Sequence, residues 1–153
     1  MRKHIKTKKY KLLFSLYFFF MTILYLGYIF LENYRINLAE KYQVKSTIIP
    51  AEIERISFFG SMITSIELIF LFLFLAVSIY CLFMERKDKK ILKIFLGLNI
   101  FFYFGILVLS IFLSTFRFLP VGNLLQPLII PIYFYIGLLI YFVWVSKNKR
   151  GTV

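Results

Sequence analysis

Four long runs of apolar residues dominate the pattern of polar and apolar positions along the chain. A helix needs about 20 predominantly apolar residues to cross the hydrocarbon core of a bilayer. Each run reaches that length, and the runs lie at 12–31, 57–84, 94–116 and 127–146. Together they account for most of the 153 residues. The pattern therefore predicts an all-α integral membrane protein, a bundle of four transmembrane helices without a separate soluble domain.

Short polar segments flank and separate these runs. They are a basic arm at 1–11, an outer loop at 32–56, a basic loop at 85–93, an outer turn at 117–126 and a basic tail at 147–153. Because the basic loop is short, the second and third spans are predicted to be antiparallel neighbours. Within the outer loop, Tyr34, Leu38 and Tyr42 recur at helical spacing, which predicts a short helix on the membrane surface. Pro50 predicts that the next helix begins there.

Charge is distributed unevenly between the two ends of the predicted bundle. The formal net charge is +12, and fourteen of the nineteen Lys and Arg residues lie in 1–11, 85–93 and 147–153. Basic residues concentrate in the cytoplasmic segments of membrane proteins. We therefore expect both termini to be cytoplasmic and the protein to be a multi-pass protein of the plasma membrane. The lipid bilayer is then the expected partner of the basic segments, and nucleic acid is not.

The second span carries one acidic residue, Glu67, well inside its apolar run. An ionisable side chain in hydrocarbon is costly and normally faces protein or water. On a helix, Glu67 lies at the edge of a face of small and hydroxyl residues, whose spacing lets two helices approach closely. The members of that face are Ser57, Gly60, Ser61, Thr64 and Ser65.

Three interpretations of Glu67 remain open at this point. It is a structural residue that fixes helix register by bonding Tyr103 or Thr64, an anchor for a partner helix or peptide, or a carrier of a proton or cation. Neutralisation of the carboxyl group should abolish transport if Glu67 carries a proton or cation, and it should have little effect if Glu67 is structural. The sequence pattern alone favours the structural role, followed by the anchor.

A second polar stripe follows one face of the third span and contains Asn99, Tyr103, Ser110 and Arg117. Facing polar stripes on two neighbouring helices satisfy each other's hydrogen-bonding groups, which lipid cannot do. Tyr103 is predicted to lie level with Glu67 and to be its partner, with Asn99 deeper. Arg117 is predicted to lie about 18 Å nearer the outer surface, too far for a direct ion pair.

The first span contains few polar residues. Ser15 and Thr22 lie seven positions apart and therefore share a face, which is predicted to point into the bundle. Tyr10 and Tyr28 lie near the ends of the span and are predicted to occupy the two membrane interfaces, where aromatic residues concentrate.

The sequence contains no arrangement of residues that is typical of an enzyme active site. His4, the only histidine, lies among lysines of the basic arm, and Cys81, the only cysteine, excludes an internal disulfide. The acidic residues outside the spans have no histidine near them in the sequence. We therefore predict no catalytic residue, no cofactor and no metal site, and expect the protein not to be an enzyme.

The sequence thus predicts a small non-enzymatic accessory, regulatory or immunity-type protein. It is expected to dock another membrane protein, a membrane-active peptide or a second copy of itself through the outer halves of the second and third spans. Its few spans, basic charge and aromatic richness resemble those of bacterial bacteriocin-immunity proteins. The alternative is an oligomeric proton- or cation-coupled transporter or channel centred on Glu67, Tyr103 and Asn99. That layout resembles the small four-span multidrug exporters, although their glutamate lies in the first span.

Overall fold

The computed structural model of the protein describes residues 2–43, 49–85, 90–116 and 119–148. These residues form four helices, α1 (Arg2–Gln43), α2 (Pro50–Glu85), α3 (Lys90–Thr115) and α4 (Val121–Asn148). Each contains a stretch long and apolar enough to cross a membrane. Helices are the expected outcome because a lipid-exposed backbone must satisfy its own hydrogen bonds. The predicted all-α bundle of four membrane-spanning helices is confirmed.

The four helices pack around one aromatic core. α1 packs most extensively against α2, α3 packs against α4, and α2 also contacts α3, as predicted. At the centre, the ring centroid of Phe95 lies 5.7 Å from that of Tyr17, 5.9 Å from Phe14 and 6.2 Å from Phe74. Rings at such separations contribute stabilisation beyond the burial of their area.

Large apolar side chains also cover the outside of the bundle. Phe30 of α1, Phe101 of α3 and Tyr133 of α4 are each more than two-thirds exposed, at 71%, 75% and 72%. Soluble monomers rarely expose continuous apolar surface on this scale. Lipid hydrocarbon is the environment in which such a surface is stable, so the protein is a multi-pass membrane protein.

Helical structure extends further than the apolar runs. α1 begins at Arg2, so most of the predicted basic arm forms the first turns of this helix, and it continues to Gln43. The predicted surface helix containing Tyr34 is therefore wrong, because those residues belong to α1. Residues 32–43 contain no glycine or proline that would end the helix.

α2 begins at Pro50, as predicted. The backbone N–H of Ile49 donates to Glu52 Oε2 at 3.3 Å, and the backbone N–H of Glu52 donates to the Ile49 carbonyl at 2.9 Å. This reciprocal pair satisfies N–H groups that a helix start otherwise leaves without partners. The polar start of α2 is thus part of the helix, and the predicted outer loop is largely helical on both sides.

α4 begins at Val121, inside the predicted outer turn. The fourth apolar run begins at 127, which would place Pro127 in the first turn of the helix, but Pro127 lies in the helix interior, as Pro131 does. Proline has no N–H and leaves the carbonyl four residues earlier without its helical donor. For Pro127 that carbonyl belongs to Asn123, and the Tyr28 hydroxyl of α1 donates to it at 2.7 Å. A contact between helices therefore satisfies the group that Pro127 leaves free.

Candidate functional site

A groove of about 580 Å³ opens at the Pro50 end of the bundle, where α1 ends and α2 begins. One side is a face of α2, and the other sides are formed by Glu32 and Arg35 of α1 and Gln126 of α4. We call this cavity the α2 groove. Its α2 residues are Ile56, Ser57, Gly60, Ser61, Ile63, Thr64 and Glu67. Five of the predicted site residues therefore line one cavity.

The small-residue face of α2 is left open by the described part of the chain. A Cβ atom placed on Gly60 would meet no heavy atom within 4 Å apart from its own helix backbone and chain neighbours. Ser57, Ser61 and Thr64 are exposed. The spacing that permits close helix contact is thus not used for contact between helices of this bundle.

The hydroxyl groups on this part of α2 donate to their own helix. Ser61 Oγ donates to the Ser57 carbonyl at 3.1 Å, and Thr64 Oγ1 donates to the Gly60 carbonyl at 3.1 Å. Each hydroxyl has one proton and two lone pairs, so what remains available to the groove is acceptor capacity. Ser65 makes the same kind of bond, to the Ser61 carbonyl at 2.9 Å, but it does not line the groove.

Glu67 does not bond Tyr103, and this prediction is wrong. Glu67 Oε1 and the Tyr103 hydroxyl are both inaccessible to solvent, and neither has a hydrogen-bond partner within the described ranges. The Tyr103 ring instead packs edge-on against Tyr135 of α4, with centroids 5.4 Å apart. The alternative partner, Thr64, donates to Gly60 of its own helix.

Helix direction explains why Glu67 and Tyr103 fail to meet. Glu67 lies eighteen residues before Glu85, about 27 Å along α2, whereas Tyr103 lies thirteen residues after Lys90, about 20 Å along α3. Helical side chains also lean toward the N-terminus of their helix. That direction is toward the Pro50 end for α2 and away from it for α3, so the two side chains point apart.

An ion pair that the sequence analysis missed borders the groove. Arg35 donates to Glu32 twice, from Nε to Oε2 at 2.8 Å and from Nη2 to Oε1 at 2.7 Å. Asn123 Nδ2 of α4 also donates to Glu32 Oε1 at 2.9 Å. Glu32 is only 1% exposed. We call these three residues the Glu32 clasp, because they join α1 to α4.

The signal for the clasp was present in the sequence. Glu32 and Arg35 lie three residues apart, a spacing at which helical side chains meet. Because residues 32–56 were predicted to form a loop, the helical spacing of Glu32 and Arg35 was not considered. Tyr28 takes part in the same contact through its bond to the Asn123 carbonyl and is fully buried. Its position at the depth of a membrane interface stays a prediction.

The side chains of Asn99 and Ser110 on the polar stripe of α3 form hydrogen bonds inside the bundle. Asn99 Oδ1 accepts from the Tyr17 hydroxyl at 3.1 Å, and its Nδ2 donates to the Phe95 carbonyl at 2.9 Å. Ser110 Oγ donates to the Ile106 carbonyl at 2.8 Å, so in its 2.9 Å contact with the Tyr25 hydroxyl the tyrosine is the donor. Asn99 therefore lies in the core and not in the groove.

The remaining predictions about site residues have different outcomes. Ser15 and Thr22 of α1 are exposed, contrary to the prediction that they point into the bundle, and Thr22 donates to the Phe18 carbonyl of its own helix. The polar groups that α1 directs into the bundle are instead the hydroxyl groups of its tyrosines. Arg117 lies outside the described residues.

No protein-family model matches the chain, and comparisons with curated proteins and with solved structures find no significant match. What the protein does must therefore be inferred from its own residues.

Proposed function

We propose that this protein is a small non-enzymatic accessory, regulatory or immunity-type protein of the plasma membrane, which docks another membrane protein or a membrane-active peptide in the α2 groove. The observation that carries the proposal is the open face of α2. Rows of Gly, Ser and Thr at this spacing are typical of helix–helix contacts within membranes. In this protein the face has no occupant from the described chain.

The contact is placed on α2 alone, not on α2 and α3 together. Asn99 and Ser110 of α3 are fully buried and already bond tyrosines of α1. The concentration of basic residues in the sequence segments 1–11, 85–93 and 147–153 supports cytoplasmic termini. In that orientation the Pro50 end and the groove face outward, where a membrane-active peptide would arrive.

Replacing Ser61 with leucine is expected to block docking. The larger side chain fills the groove, and forcing extra methylene groups into a packed contact costs about 1–3 kcal/mol, so partner recovery should fall by about tenfold. Ser65→Leu is the matched control, because Ser65 has the same residue type one helical turn away but does not line the groove. The measurement is recovery of the partner with the tagged protein from crosslinked native membranes.

A photoreactive residue identifies the partner in the same membranes. Incorporation of p-benzoylphenylalanine at position 61 should give an adduct that is missing when it is placed at position 65. An adduct of twice 18.3 kDa would identify a second copy of the chain as the occupant. Undiminished recovery of the partner by both Ser61→Leu and Gly60→Leu would rule out docking in the groove.

Glu67 favours a second candidate function, oligomeric proton- or cation-coupled transport. The Glu67 side chain lines an open groove, and its buried Oε1 atom has no partner in the described residues. If Glu67 carries a proton or cation, Glu67→Gln should abolish flux in proteoliposomes while expression and assembly persist. The measurement is proton flux reported by an internal pH dye, with Glu54→Gln as the control outside the groove. Full flux in Glu67→Gln would exclude this function.

A further inference from the structure

We infer that the segment docking in the α2 groove presents a lysine or arginine side chain to Glu67. This inference rests on the proposed docking function and adds the chemistry of the occupant: a membrane-inserted peptide segment with one basic side chain among small and apolar residues.

Of the three charged residues that line the groove, Glu67 has no oppositely charged partner among the described residues. Glu32 and Arg35, the other charged residues of the wall, already pair with each other through two hydrogen bonds. Glu67 Oε1 is buried and, within the described ranges, has no partner. Glu67 as a whole is half-buried and borders the groove. A carboxylate within a membrane is unfavourable without a counterion, and a basic side chain supplies both the opposite charge and hydrogen-bond donors.

The rest of the α2 wall also selects for donors. The hydroxyl protons of Ser61 and Thr64 are engaged by backbone carbonyls of α2, which leaves lone pairs toward the groove. An ammonium group brings three donors and a guanidinium group five, and neither brings an acceptor. Beside Ser61, Thr64 and Glu67, an anionic occupant would instead meet acceptors of the same kind.

The size of the groove favours a side chain over a whole helix. A helix about 10 Å wide encloses about 1,200 Å³ over a length of about 15 Å. The cavity holds about 580 Å³, which is in the range of sites for small groups. Glu67 lies ten residues below Ser57, about 15 Å along α2. A partner helix therefore lies along the mouth of the groove and extends a long side chain to Glu67. The alkyl stem of lysine or arginine can pack against Ile63 of the wall, which lies one helical turn from Glu67.

Two synthetic transmembrane peptides test this inference. Both are dansyl-labelled leucine–alanine helices with one small-residue face, and they differ only in a lysine or a norleucine at the depth of Glu67. Binding is measured with the full-length protein in phosphatidylcholine nanodiscs. Because the protein has a net charge of +12, nonspecific electrostatics disfavour the lysine peptide. A preference for lysine consequently reports a specific contact.

The expected result is that the lysine peptide binds about tenfold more tightly than the norleucine peptide, as expected for one charge-assisted hydrogen bond away from water. Glu67→Gln should remove this preference, and Glu54→Gln, which alters an exposed residue outside the groove, should preserve it. Ser61→Leu should block both peptides.

The outcomes separate this inference from the docking proposal. Equal binding of the two peptides to the unaltered protein, or a lysine preference that persists in Glu67→Gln, would overturn the inference while docking stands. Binding of neither peptide, or binding that Ser61→Leu leaves unchanged, would overturn both. Displacement of the lysine peptide by free butylammonium at equal concentration would assign the groove to a small cation and overturn the inference.

Discussion

Replacing Arg35 with methionine is expected to lower the free energy of unfolding by about 3 kcal/mol, because it leaves the Glu32 carboxylate buried without a cation. Glu32 is 1% exposed, and Arg35 supplies two of its three hydrogen bonds. The expected loss lies at the lower end of the usual range for broken buried pairs, since the Arg35 side chain is 34% exposed and partly screened. Unfolding by denaturant in detergent micelles measures the change.

Two further variants give this measurement its controls. Arg55→Met removes an exposed arginine that donates to the Tyr34 hydroxyl at 3.1 Å, and its expected effect is within about 0.5 kcal/mol. The double variant Glu32→Gln, Arg35→Met removes the unpaired charge and should recover much of the lost stability. If Arg35→Met is as mild as Arg55→Met, the buried Glu32 carboxylate does not depend on Arg35 for its stability.

The fold could be predicted from sequence because it follows from local composition. Each apolar run exceeds the length needed to cross a bilayer, and in hydrocarbon a helix satisfies its backbone within one segment. Helix ends were less predictable. Residues 32–43 are polar enough to suggest a loop, yet they contain nothing that ends a helix. Near the membrane surface, polar residues are compatible with a continuing helix.

The groove could be predicted only in part, for a related reason. The face containing Gly60, Ser61 and Glu67 depends on one helix, and a period of 3.6 residues is sufficient to find it. The pairing of Glu67 with Tyr103 depends on two helices. Residue counts put Tyr103 level with Glu67 only if α2 and α3 end at the same height, but α2 has 36 residues and α3 has 26. Relative height and side-chain direction belong to the tertiary structure.

A hydropathy pattern counts the tyrosines of α1 as apolar and does not show that their hydroxyl groups can bond other helices. Tyr17, Tyr25 and Tyr28 lie on one face that continues to Glu32, at spacings of eight, three and four residues. Counted as apolar, they were not considered as donors to the other helices. Their rings fill the core while their hydroxyl groups reach acceptors on α3 and α4. A stripe of tyrosines ending in an acid is the signal that predicts this interior.

Replacing Asn99 with alanine is expected to destabilise the protein by about 2 kcal/mol. The change opens space in the core and leaves the buried Tyr17 hydroxyl without its acceptor. Tyr17→Phe removes the donor along with its need for a partner, so its expected cost is smaller, about 1 kcal/mol. Both changes are measured by the same denaturant unfolding in micelles.

A double-mutant cycle of Tyr17→Phe and Asn99→Ala isolates the contact between α1 and α3. The coupling energy is expected to be about 0.6 kcal/mol, the average for hydrogen bonds between membrane helices, and no more than about 1.7 kcal/mol, the largest value found for them. Thr22→Ala is the control, because Thr22 is exposed and bonds only its own helix in the described structure. A coupling energy near zero would mean that Asn99 stabilises the core through packing alone. The hydrogen bond between Tyr17 and Asn99 would then contribute no stability. The reason for placing the docking contact on α2 alone would be lost.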